Sequence, residues 1–232
     1  MAAGNDPGAE VIAMAGHGSL WRGLPWLALT GIVALNFFIT VRWLEADTSG
    51  WDALGYRVAA RQIVRGEGPS IAHRFNAQYG PYFSLAAFNV QRAGEPTRLY
   101  LNYPPGFPVL LALPQWLGLP DTVLLPLIST ASVLLTCAVG SLLFDRWVGV
   151  LAAAIIAATP GHLAWSTSFW ADLPGAVFGL AALAAYVSAL RRPRRVWQVT
   201  LGIAAGALAA ERDQRGGRRA AVLPPADQHG LG

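Results

Sequence analysis

The sequence predicts an all-α polytopic membrane protein, with about five transmembrane helices and juxtamembrane helices in a first external loop. Three observations carry that expectation. Of 232 residues, 54% are hydrophobic and 13% are charged, about half the charged share of an ordinary soluble domain. The apolar residues gather in runs without Asp, Glu, Lys or Arg, and these runs approach the ~20 residues that a helix needs to cross a bilayer core. The 25 Gly and 16 Pro are scattered among Leu, Ala and Val without a three-residue period, which excludes collagen and disordered linkers.

Taken in order, residues 1–23 form a polar stretch expected in the cytoplasm. It has neither the basic n-region nor the small-residue cleavage site of a secretory signal, so the first span, 24–41, is an anchor. A long hydrophilic segment, 45–121, follows. Within it residues 52–64 have helical spacing: Tyr56, Ala59, Ala60, Ile63 and Val64 share one face, and Arg57, Arg61 and Arg65 form a stripe on another. Gly66 and Gly68 end that helix. Residues 70–97 are irregular and rich in aromatic side chains, and no structure is assigned to them. The apolar stretch 107–119, interrupted by Pro108 and Pro114, is too short to span and reads as a helix lying on the membrane surface. Further charge-free runs at 122–144, 147–170, 173–190 and 196–210 supply the other four spans. The last is short, and the polar text after it, 211–232, is rich in Arg and Gly and has no helical period. It reads as a shifted frame or a truncation, so the chain is expected to be an incomplete fragment.

Orientation follows from arginine in the short loops. All 17 basic residues are Arg, and Arg191, Arg192, Arg194 and Arg195 directly follow the fourth span, which places that end in the cytoplasm by the positive-inside rule. Counting back puts residue 1 inside, the 145–146 turn inside, and both the 45–121 loop and the 166–172 turn outside. The expected location is the plasma (inner) membrane. The long loop carries six Arg of its own, but the rule weakens beyond ~60 residues. No basic tract is long enough for a nucleic-acid footprint. Cys137, the single cysteine, lies within an apolar run and reads as a small packing residue; His162, beside Pro160, reads as part of a helix kink and not as a metal ligand.

This topology brings Glu45, Asp47, Asp52 and Asp172 to one external face. Each has an ordinary reading beside a catalytic one. Asp172, before Leu173 and Pro174, has the sequence of an N-cap for the fourth span, and Asp52 could cap the helix that carries Tyr56. Glu45 and Asp47 read as solvated interface residues. Arg57, Arg61 and Arg65 either snorkel into the headgroup layer or bind a phosphate there.

Asp52-Ala-Leu-Gly-Tyr56 with Ala60, Ile63 and Gly66, followed by Tyr103-Pro-Pro-Gly-Phe-Pro108 and an apolar helix ending in Leu117-Gly118, resembles the N-terminal part of the GT-C fold glycosyltransferases. The nearest group is the protein O-mannosyltransferase and aminoarabinose transferase type. The resemblance covers residues 24–210. It implies a sugar transferase with Asp52 and Asp172 at the two acidic positions of its external site, and further spans beyond the fifth. Some members carry a carboxylate before the proline of the second juxtamembrane helix that helps to hold a divalent metal. Here Leu101-Asn102-Tyr103 stands instead, so no ligand set for a metal is evident and the cofactor is left open.

An outward-facing site lacks cytosolic nucleotide sugars, so the resemblance implies a polyprenyl-phosphate sugar as donor. Asp52 is then the candidate base that takes the acceptor hydroxyl's proton, with inversion at the anomeric carbon. Arg57 and Arg61 are candidates for the lipid phosphate, and Tyr56, Tyr103, Pro104 and Pro105 for the wall of the sugar site. Two rivals from other classes stand beside this. A transporter or flippase would carry broken helices or ionisable groups near the bilayer midplane, where these runs offer only Asn36, Pro126 and Pro160. The other rival is a non-catalytic membrane partner.

Overall fold

The computed structural model describes residues 7–44, 50–80, 82–83, 88–89 and 97–212. Glu45, Asp47, Arg92 and the tail from residue 213 lie outside the described residues. The chain is mainly helical. Among the described residues three helical segments are long and apolar enough to cross a membrane, Gly23–Arg42, Asp121–Leu143 and Asp172–Arg191, and a bent pair, Arg146–Ala158 with Pro160–Thr167, makes a fourth if it is counted as one span. Many side chains on these helices are exposed, among them Leu27, Leu35, Phe38, Leu151 and Ile155. An apolar solvent is what such a surface requires, as expected of a membrane protein.

Helix α1 (Pro7–Arg42) begins well before the anchor read from its apolar run. It packs on α5 (Leu124–Leu143) and α6 (Arg146–Ala158), and Leu29, Val133, Cys137, Val150 and Ala153 form the core between them. Cys137 is free and buried there, in the packing role expected of it. Helices α5 and α6 are antiparallel neighbours that meet at glycines. A Cβ on Gly149 would lie 2.1 Å from Ser141 Oγ and 2.5 Å from the Cys137 carbonyl, and one on Gly140 would lie 2.9 Å from the Gly149 Cα. Small residues allow such close approach where lipid supplies no hydrophobic drive between helices. Gly149→Ala is therefore expected to destabilise the chain by about 2 kcal/mol through overpacking. Denaturant titration of purified protein in detergent checks this; a midpoint equal to that of wild type would show that the helices part without strain.

The run 147–170, expected as one span, is broken. Helix α6 ends at Ala158 and α7 (Pro160–Thr167) leaves it at 64°. Pro160 has no N–H to continue the ladder, and the carbonyls before it find other donors: Thr159 Oγ1 donates to Ile155 O at 2.7 Å and Thr159 N to Ile156 O at 3.1 Å. Beyond α8 (Asp172–Arg191), α9 (Arg195–Arg212) packs back along it. Helix α9 covers the fifth apolar run, but its composition falls short of a span.

The long loop is more ordered than its composition indicates. Helix α2 (Trp51–Val64) ends as expected at Gly66, which has φ 78°. Gly66 N bonds to Ile63 O and Glu67 N to Gln62 O, both at 3.0 Å, the paired bonds of a Schellman stop. Gly118, at φ 73°, ends α4 (Gly106–Trp116) in the same way, with bonds from Gly118 N and Leu119 N. Between these helices, the residues left without structure in the sequence reading supply β1 (Ser70–Ala72), α3 (Arg74–Tyr79) and β2 (Phe88–Asn89). With β3 (Arg98–Leu101) the strands form an antiparallel sheet in the order β1-β3-β2. Phe88, Leu99 and Leu101 of the sheet bury against Ala59 of α2. The all-α expectation thus needs this small sheet added.

Candidate functional site

Helices α2 and α4 lie side by side over the end of the bundle where α5 begins and the α7–α8 turn sits. One core joins them: Ala53, Tyr56 and Ala60 from α2, Phe107, Leu111 and Ala112 from α4, Leu125 and Ile128 from α5, and Phe169 and Leu173 from the turn and α8. Tyr56 makes an edge contact with Phe107 at 5.2 Å between centroids and a tilted one with Tyr103 at 5.3 Å. Each fully buried large side chain in such a core contributes about 1.5–3 kcal/mol, so the α2–α4 pair is fixed to the bundle.

On this platform Asp52 stands in the first turn of α2, half-buried, and its Oδ1 accepts a hydrogen bond from Tyr103 Oη at 2.5 Å. Its Oδ2 takes no hydrogen bond among the described residues. Asp52 is not a cap: Gly50 holds the N-cap position, in extended backbone, and makes no side-chain bond. The carboxylate is instead turned to the tyrosine. That contact pushes the Tyr103 hydroxyl up from 10.0 to about 12, first because the hydrogen bond to Asp52 needs the proton, then through burial and the carboxylate's charge. A group whose folded pKa is raised adds stability below its unfolded pKa and loses it as pH rises through the folded value. The Tyr103–Asp52 bond is therefore expected to persist at pH 10 and to fail near pH 12. Phenolate absorbance with a Tyr103→Phe reference measures this; in Asp52→Asn, Tyr103 should titrate nearer 10, and an unmoved titration would disprove the coupling.

Arg57, one helical turn after Ala53, is committed elsewhere. Its Nε donates to Asp121 Oδ2 at 2.8 Å and its Nη2 to Asp121 Oδ1 at 3.1 Å, and its guanidinium stacks over the Phe169 ring at 4.7 Å. This fork ties α2 to the 3-10 turn Asp121–Val123 at the head of α5 and to the α7–α8 turn. Of the arginine stripe, Arg61 and Arg65 are exposed and free of ion pairs among the described residues. Pro104 is buried and Pro105 exposed beside Tyr103, and Pro105 serves as the N-cap residue of α4.

Asp172 is exposed in the first turn of α8, whose N-cap is Ala171. The cap expected of Asp172 is not formed: Ala171 holds the N-cap position, and Asp172 is already the first helical residue, one position too late for its side chain to take that role. Its neighbours Phe169 and Leu173 pack into the same core as Ala53 and Tyr56. The two acidic segments therefore share a platform, although no direct contact joins the carboxylates. Asp121 and Phe169 were not read as site residues from the sequence. Asp121 had one signal, a lone acid after Pro120 at the mouth of a charge-free run. No group of three or more His, Cys, Asp or Glu able to hold a metal occurs among the described residues.

A second polar constellation lies inside the bundle. Asn36 Nδ2 donates to Ser129 Oγ at 2.9 Å, and Thr40 Oγ1 donates to Asn36 O at 2.9 Å. Ser132 Oγ donates to Ser129 O at 2.7 Å and lies 2.7 Å from His162 Nε2. All five residues are buried. Since the Ser132 proton is used on Ser129 O, the His162 contact is satisfied when Nε2 carries the hydrogen. Asn36 Oδ1 is buried with no partner, and Asn36 also lines a cavity of about 290 Å³ between α1, α6 and α7. His162 thus sits just past the kink, as expected, but bonded across it to α5. No family model, no curated protein and no solved structure matches this chain.

Proposed function

We propose that the chain is part of an integral membrane glycosyltransferase that moves a sugar from a polyprenyl-phosphate donor to an acceptor hydroxyl on the external face, with inversion. The observation that carries the reading is the Asp52–Tyr103 pair: a half-buried carboxylate with one oxygen held and the other unbonded among the described residues, on two helices at the mouth of the bundle. Such a carboxylate can take a proton as a hydroxyl attacks an oxocarbenium-like centre. Tyr103 fixes its direction and, half-buried, is the aromatic side chain left to face a sugar, whereas Tyr56, expected beside it in that wall, is buried in the core behind it. Asp172 is the second acid of the same face, and Arg61 is the stripe's cation available to the lipid phosphate; Arg57 acts through Asp121. In this reading α9 is the fifth span. Transfer of radiolabelled sugar from a polyprenyl-phosphate donor by membranes expressing the full gene, with and without Asp52, tests the proposal, and absence of transfer above control membranes counts against it.

The reading requires an orientation with residue 1 inside and the α2–α4 platform outside. Cysteines placed at Gly50 and Ser168 in intact cells should then react with an impermeant thiol reagent, while one at Pro193 should not. Labelling at Pro193 would invert the topology and remove the platform from the external face.

A transporter or flippase-like function is the second reading, favoured by one specific observation. A span broken at 64° beside a buried Asn36–Ser129–Ser132–His162 constellation is what transport sites in membranes use. In that case His162→Leu would abolish function and Asp52→Asn would not; the glycosyltransferase reading expects the reverse.

A further inference from the structure

At the end of the bundle remote from Asp52 lies a partly open cavity of about 340 Å³, lined among the described residues by Leu142 at the close of α5, Ser188 and Arg191 in the last turn of α8, Arg192 after it, and Trp197 in the first turn of α9. We propose that this cavity binds the phosphate headgroup of an anionic membrane lipid.

Positive charge is in excess there. Arg191, Arg192, Arg194 and Arg195 are all exposed, and the single side-chain ion pair among the described residues, Arg57–Asp121, is at the other end. The nearby carboxylate in sequence and place, Asp145, is occupied as the cap of α6: its Oδ1 accepts from Trp147 N at 2.7 Å and Val148 N at 3.0 Å. Arg146 adds a further exposed cation beside it.

The lining has two characters. Arg191 and Arg192 supply forked donors suited to phosphate oxygens, and the Ser188 hydroxyl makes no bond among the described residues, so it is open to a ligand. Leu142 and Trp197 supply an apolar wall for the first carbons of an acyl chain. Around the rim Phe144 and Trp147 are exposed, as aromatic side chains are at the headgroup level. Two candidate spans end here, Asp121–Leu143 and Asp172–Arg191, so the cavity sits at the depth of lipid phosphates. Basic pockets between transmembrane helices hold such headgroups. Arginines that act only as a topogenic or diffuse charge would need no cavity, and this distinction makes the proposal testable.

The test is native mass spectrometry of the purified full chain in detergent with an equimolar mixture of phosphatidylglycerol and phosphatidylcholine. Phosphatidylglycerol adducts should dominate. Arg191→Gln with Arg192→Gln should weaken them about 30-fold, from two surface cations, while Arg98→Gln on β3, an exposed arginine away from this end, leaves them unchanged. Ser188→Phe fills the cavity but keeps every charge, and should lose the preference as well. Persistence of the preference in either the double variant or Ser188→Phe overturns the site. Oleate retained as well as phosphatidylglycerol would overturn the phosphate requirement. Displacement of the lipid by an equal concentration of inorganic phosphate would overturn the lipid as its occupant.

Discussion

Asp52→Asn should lower sugar transfer by roughly 10² to 10⁴-fold, the usual contribution of a positioned general base, while the chain still inserts and folds. The amide is nearly the same size as the carboxylate and its oxygen can still accept from Tyr103 Oη, so the α2–α4 platform keeps its bond. What is lost is the ability to take a proton. Asp52 makes no cap bond and no ion pair among the described residues, so its removal has little else to disturb. Tyr103→Phe should have a smaller effect, because it frees the carboxylate to turn without removing it. The comparison needs initial rates at saturating donor and a folding control such as the denaturation midpoint. Near wild-type turnover by the Asn variant would reduce Asp52 to a structural partner of Tyr103.

Asp121→Ala should cost about 3 kcal/mol of stability, at the low end for breaking a buried ion pair by removing one partner. The side chains of Arg57 and Asp121 are only 19% and 9% exposed, so the variant takes from the guanidinium the carboxylate that its Nε and Nη2 bond, in a place water reaches poorly. Arg57→Met in the Asp121→Ala background should therefore recover most of the loss, since an apolar pair of similar volume replaces such a bridge at little cost. Denaturant midpoints of the two single variants and the double variant measure the coupling. Additive losses, with no recovery in the double variant, would show that the fork does not hold the platform.

The membrane-crossing part of this fold was legible because hydrocarbon admits so few charges. Runs bounded by Arg, Asp and Glu therefore mark helices directly: the runs 122–144 and 173–190 fall on helical segments with nearly those bounds, and 24–41 falls within the longer α1. A helix too short to span was legible over 107–119, where α4 forms, and the stop of α2 was legible from Gly66. The sheet was not. Its strands have three, two and four residues, too few to display a period of two, and β1 finds β3 only across the register Ser70 to Tyr100. Asp121 was hidden for the same reason: its partner Arg57 is 64 residues away, and no local pattern announces that distance. The caps expected of Asp52 and Asp172 failed by one or two positions, the scale on which backbone geometry, and not residue type, decides where a helix starts. The break at Pro160 was visible as a kink, but the bond from Ser132 of α5 to His162 just past it was not.

Only Phe144 and Asp145 separate α5 from α6, and the glycines at which they touch, Gly140 and Gly149, are close along the chain. Closing so short a loop costs little entropy, whereas the Arg57–Asp121 fork and the β1–β3 pairing must wait for distant segments. During synthesis α5 and α6 should thus enter the bilayer together as one hairpin, its interface already zipped, and serve as the template on which α1 and α8 dock. The platform of α2, α4 and the sheet would then close last, so assembly runs from the α5–α6 hairpin toward the end of the bundle where α5 begins.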